Sequence, residues 1–267
     1  MNKVQNKRNM KFVFTDVTYF MKISTALLPW LIGMTVLLLV LGITLVMKSP
    51  NDYQQGITVK IMYIHAPFAW LSTLCYVIMS IAAFITLIWS HNLASIVLKC
   101  GAPIGTTFTA LALVTGALWG HPTWGTWWVW DARLTSVLIL FFIYLAITML
   151  SRAFINPAKA AYATSILTLV GLVNIPIIKF SVYWWHTLHQ QASLIRPGGT
   201  TIDSTMLWPL ITMAICFAHL FVVLYLMAMR NEITHRRIKI LQTQAAHRTK
   251  PRILSSCMDS VTFPNND

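Results

Sequence analysis

Six uncharged apolar runs, each close to the length of a bilayer-spanning helix, leave this chain little choice of fold. They fall at about Leu27–Met47, Ile61–Trp89, Ala102–Leu118, Thr135–Leu150, Ala160–Ile178 and Met206–Met229. A spanning helix takes about 17 to 25 such residues, because every backbone N–H and C=O inside hydrocarbon must be paired within the segment. The composition, 57% hydrophobic and 10% charged with the charges crowding toward the two ends, excludes an ordinary soluble domain. The expected class is an all-α integral membrane protein with six transmembrane helices.

A formal net charge of +13 would raise nucleic-acid binding in a soluble protein. Here the basic residues flank the apolar runs, so they read as a topology signal, and membrane lipid rather than nucleic acid is the expected contact. An even number of spans puts both termini on one side. With that side inside, fifteen of the twenty Lys and Arg residues are internal, and only Lys48, Lys60, Arg133, Lys179 and Arg196 are external. Both termini are therefore expected in the cytoplasm. The chain divides into an N-terminal tail (1–22), a membrane domain (23–230) and a basic tail (231–267), the last expected to form an interfacial helix to about Gln244 and to be disordered beyond it. The first run is long enough to span and has no small-residue cleavage site, so it reads as a retained span. Cys75, Cys100, Cys216 and Cys257 form no CxxC and fall in spans or on the inner side, which suggests neither a disulfide framework nor a metal cluster.

Three segments are then external: Lys48–Lys60, the stretch Trp119–Ser136, and Lys179–Thr205. The middle one reads WGHPTWGTWWVWDARLTS and holds five of the eleven tryptophans: Trp119, Trp124, Trp127, Trp128 and Trp130. One or two tryptophans at a membrane surface are an anchoring belt; five within twelve residues strain that reading. Trp124, Trp127, Trp128 and Asp131 follow an i, i+3, i+4, i+7 spacing. Gly120, Pro122 and Gly125 delay regular helix until near Thr126, so a short interfacial helix with a broad aromatic side is expected. That surface suits a large flat apolar ligand stacked on indole faces, with a plain belt as the alternative. Asp131 and Arg133 stand at the mouth of the fourth span. They read equally as structural, either an ion pair or an acidic residue complementing the helix dipole with Arg133 snorkelling outward, and as a site where Arg133 grips an anionic ligand group.

Histidine is the second signal. His65, in YIHAP, opens the second span from outside, with Pro67 just inside the first helical turn. His189, in WWHTLHQ, follows the fifth span on the same face. Two neutral imidazoles from distant segments beside an aromatic platform fit ligation of iron from either side of a macrocycle. His186, three residues before His189, and His121 in the tryptophan loop are competing candidates. His91, His219, His235 and His247 fall inside or in mid-helix and are poor ones. No Walker loop, GxSxG, HExxH or intramembrane pair of carboxylates occurs, which disfavours a pump or a hydrolase.

These residues resemble the cytochrome c biogenesis haem-handling proteins that carry a tryptophan–aspartate motif, and among them the CcmC family. The matching stretches are DYQQG (Asp52–Gly56), YIHAP (Tyr63–Pro67), APIG (Ala102–Gly105), LVTGALWGHPTWGTWWVWDARLTS (Leu113–Ser136), NIPII (Asn174–Ile178) and WWHTLHQ (Trp184–Gln190). The similarity runs from about residue 27 to 230. It implies a bacterial inner-membrane protein, or an organellar equivalent, that presents haem b on the periplasmic face to a haem chaperone, CcmE. By the same resemblance His65 and His189 are the axial ligands and Trp119 to Asp131 form the platform. The family commonly has a residue other than histidine where this chain has His186. The implied partners are the ABC transporter subunits CcmA and CcmB and the small membrane protein CcmD. The sequence leaves open whether the chain promotes haem attachment or only positions the reactants. It also leaves two rivals: a permease subunit that moves haem across the membrane, and a haem-free docking scaffold.

Overall fold

The computed structural model describes residues 17–185, 187–189 and 199–259, with side chains as far as residue 246. Regular structure among them is helical: α1 (Val17–Lys48), a 3-10 turn (Ile57–Ile61), α2 (Met62–Trp89), α3 (Asn92–Trp124), α4 (Ala132–Ala153), α5 (Pro157–Gly171), α6 (Asn174–Trp184) and α7 (Ser204–Asp259). Among the described residues six segments are long and apolar enough to cross a membrane, the fifth being α5 and α6 together. The six-span expectation therefore holds, and the chain is a multi-pass membrane protein.

The helical hairpin α2–α3 forms the centre. α4 and α5 pack on one side of it, α7 on the other, and α1 lies outermost against α7. Hydrocarbon supplies no hydrophobic drive between helices, so close packing and interhelical hydrogen bonds must hold them. Three buried tyrosines provide both. The hydroxyl of Tyr76 donates to the Thr168 carbonyl at 2.9 Å, that of Tyr144 to Ser72 at 2.7 Å and that of Tyr225 to Val97 at 2.7 Å. Each tyrosine lies where a glycine leaves room: Tyr76 over Gly171, Tyr144 over Gly105 and Tyr225 over Gly101. A Cβ at any of these glycines would collide with the ring or hydroxyl. At the inner end Glu232 of α7 bridges Lys99 of α3 (2.8 Å) and Arg236 (2.7 Å), while Arg230 hydrogen-bonds the Met21 carbonyl and Ser24 of α1.

Several boundaries differ from expectation for local reasons. α3 begins three turns before Ala102 because the connection from α2 is only Ser90–His91. Ser90 is left-handed (φ 50°), and the His91 ring caps the new helix by accepting from Ala94 N. The fifth span is broken at Leu172–Val173. Pro176 has no N–H to give the Leu172 carbonyl and its ring crowds it, so Ile175 N bonds that carbonyl instead, at 3.0 Å. Asn174 at the break donates to the Ser136 carbonyl of α4 at 2.8 Å. Pro67 lies in the second turn of α2, not the first, because the helix already starts at Met62. α7 continues unbroken to Asp259, where a shorter interfacial helix and then disorder were expected.

Candidate functional site

The outer end of the bundle, the end that the Lys and Arg balance places outside, gathers the start of α2, the end of α3, the start of α4 and the residues after α6. The expected interfacial helix from Thr126 is absent, and this is a correction. α3 instead runs through Gly120 and Pro122 to Trp124 and stops at Gly125, whose φ of 75° closes the last turn by an N–H bond to the His121 carbonyl at 2.9 Å. A left-handed residue at that position is a helix terminator, and glycine occupies it without strain. Gly120 is retained in the helix because Trp124 packs on it, with ring carbons 2.9 Å from where a Cβ would be. Residues 125–131 are irregular, so the tryptophans do not share one helical face.

The five are instead distributed by role. Trp119 and Trp124 sit in the last turns of α3. The indole N–H of Trp119 donates to Gln55 Oε1 at 2.8 Å, and its ring meets His65 edge-on at 5.7 Å. Trp124 meets His189 in the same manner at 5.0 Å. Trp127 is 57% exposed and stacks on His121 at 4.1 Å; Trp130 is 75% exposed and touches Trp128 edge-on at 5.5 Å. Trp119 and Trp124 therefore flank the two histidines, while Trp127 and Trp130 present their rings outward.

His65 projects from α2 against α3. Its Nδ1 lies 3.0 Å from the Ala112 carbonyl and 3.2 Å from Thr115 Oγ1. A carbonyl only accepts, and the Thr115 hydroxyl already donates to the Leu111 carbonyl at 2.6 Å, so Nδ1 carries the proton and shares it between both. The lone pair is then on Nε2. Gly116 forms the floor: a Cβ there would stand 2.9 Å from His65 Cε1.

His189 reaches the same tautomer by another route. Its Nδ1 lies 3.4 Å from Asp131 Oδ2, and a carboxylate oxygen accepts, so Nε2 is again the open nitrogen. Asp131 is buried and serves α4 with its other oxygen, accepting from Leu134 N at 2.7 Å as the N-cap. The helix-complementing reading of Asp131 is thus correct, and its second oxygen adds a contact to His189. Burial and then the Arg133 charge push the His189 imidazole below the ordinary 6.5, with Asp131 opposing. Arg133 is within electrostatic range of both imidazoles and makes no ion pair with Asp131 among the described residues.

His186 and Arg196 lie outside the described residues. His91 caps α3 at the inner end, and His219 bonds the Ile215 carbonyl within α7 at 2.8 Å; both stand apart from this site. Sequence reasoning passed over Gln55, Thr115 and Gly116. Gln55 lay within DYQQG, a stretch noted without a role. Asp52 folds that stretch into a turn by accepting from Gln54 N (2.9 Å) and Gln55 N (2.8 Å), which points the Gln55 side chain at Trp119.

No cluster of three His, Cys, Asp or Glu side chains occurs among the described residues, so the donor set does not suit a bare metal ion. Two neutral imidazoles with free Nε2 atoms suit a metal that brings its own equatorial ligands. The family model for heme exporter protein C matches residues 11–244. Heme exporter protein C of Bradyrhizobium diazoefficiens is 56% identical over 93% of this chain and 94% of its own length. That of Escherichia coli K12 is 46% identical over 77% and 83%. A putative cytochrome c biosynthesis ccmC-like mitochondrial protein of Marchantia polymorpha is 44% identical over 80% and 92%.

Proposed function

This chain belongs to the heme exporter protein C family, and on that premise we propose that it binds haem b at the periplasmic face of the bacterial inner membrane and presents it for attachment to the haem chaperone CcmE. What carries the reading is the pair of tethered imidazoles. Each has Nδ1–H engaged by a protein acceptor and Nε2 open, the state in which histidine serves as an axial ligand. His65 and His189 are the proposed ligands.

Around them the side chains divide the work. Trp119 and Trp124 steady the imidazoles and line the site, and Arg133 offers a guanidinium to a propionate, for which its forked donors are suited. The outward rings of Trp127 and Trp130, with Trp128 behind them, form the surface that the chaperone meets. When bound, haem supplies the vinyl edge to which the chaperone is joined. The chain holds that edge at a fixed place and orientation, and such positioning alone can remove several kcal/mol of barrier, up to about 7 to 11 in well-aligned cases. ATP hydrolysis by CcmA with CcmB would release the loaded chaperone, and CcmD would complete the assembly.

The test is transfer. Haem-loaded protein in detergent, mixed with the soluble domain of the chaperone, should yield chaperone-bound haem, and Trp127→Ala with Trp128→Ala should reduce that yield while leaving the haem content of the donor intact. A colourless purified protein that still binds its partners would support the scaffold reading instead, and uptake of labelled haem into vesicles by this chain alone would favour a permease.

A further inference from the structure

The two proposed iron ligands are not held alike. His65 stands on a helix of the central hairpin. Its Nδ1–H is shared between two acceptors at 3.0 and 3.2 Å, Gly116 lies close against the Cε1 edge of the ring, and Trp119 against it is itself fixed by Gln55. To withdraw from iron, this imidazole would have to break both contacts or move α2 against α3, the most extensively packed pair among the described elements. His189 stands on non-helical backbone beyond α6, keeps a quarter of its side chain exposed, and among the described residues has one ring hydrogen bond, at 3.4 Å, longer than the usual limit of about 3.2 Å. Trp124 meets its ring in edge contact. Among the described residues, its retreat breaks one long hydrogen bond where that of His65 breaks two shorter ones.

From this asymmetry we infer that His189 is the exchangeable ligand and His65 the fixed one, so that haem is handed over from the His189 face while His65 retains the iron to the last; this deepens the haem-site reading and rests on it. The exchange is a substitution at unchanged oxidation state. The Fe–Nε2 bond to His189 breaks, its electron pair stays on the imidazole, and the lone pair of an incoming nitrogen donor forms the new bond, with no proton moved. Asp131 acts here as a positioning residue. Its carboxylate keeps the His189 proton on Nδ1 and so keeps the lone pair on Nε2. Asn at the same place retains an oxygen to cap α4 but presents an N–H toward Nδ1. That favours the tautomer with its proton on Nε2 and withdraws the iron-binding lone pair.

The experiment uses the full chain, purified with haem in detergent. His189→Ala should keep at least half of the wild-type haem as a five-coordinate, high-spin form that carbon monoxide binds when ferrous and that added imidazole returns to six-coordinate. His65→Ala should lose haem at least about tenfold, the scale of losing an essential ligand or its support. Equal retention in the two variants, or the reverse order, overturns the inference. Because His65→Ala could fail by misfolding, Asp131→Asn provides an independent arm. It should raise the rate at which carbon monoxide enters the ferrous protein by about tenfold or more and retain more haem than His65→Ala, and an unchanged rate overturns the inference. Wild-type protein that never holds haem overturns the site reading itself, and this inference with it.

Discussion

Replacing Gly116 by alanine tests how His65 is oriented without replacing any proposed ligand. The new Cβ would stand 2.9 Å from His65 Cε1 and 3.4 Å from Nδ1, whereas non-bonded carbons settle at about 3.5 to 4.0 Å. The ring must therefore withdraw by roughly 0.6 to 1 Å. A shift of that size takes the 3.0 Å bond to the Ala112 carbonyl beyond the usual limit of about 3.2 Å. Losing it costs about 0.5 to 1.5 kcal/mol and the overpacking about 1 to 3 kcal/mol. The gain from alanine in a helix returns about 1 kcal/mol. The net destabilisation is then about 0.5 to 3.5 kcal/mol by these terms, small enough for the bundle to fold. Haem affinity should fall further, by about 10- to 100-fold, as when the support of a ligating histidine is removed. The assay is haem titration of the apoprotein, followed by absorbance, alongside a thermal melt in the same detergent. Gly33→Ala is the control, because nothing lies within 4 Å of its added Cβ, and it should change neither quantity adversely. Full haem affinity with an unaltered spectrum in Gly116→Ala would refute the argument that this floor sets the ring.

Other outcomes follow from the same geometry. Gln55→Leu removes the acceptor for Trp119 and should cost about 0.5 to 1.5 kcal/mol of stability, with a shift in tryptophan fluorescence; an unchanged emission spectrum would count against that bond. Gly105→Ala drives a methyl group into the buried Tyr144 ring and should lower the melting temperature well below that of Gly33→Ala, by the about 1 to 3 kcal/mol that overpacking costs. In the haem-free protein the His189 ring, held below 6.5 by burial and Arg133, should be more than half neutral at pH 6.5. Its folded value lies below its unfolded one, so its contribution to stability is complete above the unfolded value and is lost as pH falls through the folded one. A proton-resonance titration with its midpoint at or above 6.5 would contradict this.

The six spans were legible in the sequence because membrane insertion is written in composition: an uncharged run of the right length has no other satisfactory fate. The convergence of His65, His189 and the tryptophans on one end followed from span parity and the Lys and Arg balance. The loop conformation was misread because Gly120 and Pro122 are breakers in isolation, yet Gly120 is where Trp124 packs and the helix passes through both. The actual terminator, Gly125, has the same composition signal as Gly120. Only backbone geometry separates a glycine kept for close packing from one kept for its left-handed turn. The tethers of the histidines were invisible for another reason. The Ala112 carbonyl is main chain and has no sequence signature, and Gly116 acts by what it lacks. Asp131 was legible as an acidic residue at the start of α4, where it accepts from the Leu134 amide, but its second partner, His189, lies 58 positions along the chain.

The central claim is that His65 and His189 together hold haem iron through their Nε2 atoms, and the ferric electron paramagnetic resonance spectrum tests it most directly. Haem-loaded wild-type protein should give the low-spin signal of two axial imidazoles, and the double variant His65→Ala, His189→Ala should lose it. A double variant that keeps the wild-type low-spin signal would show that other residues ligate the iron and would contradict the account.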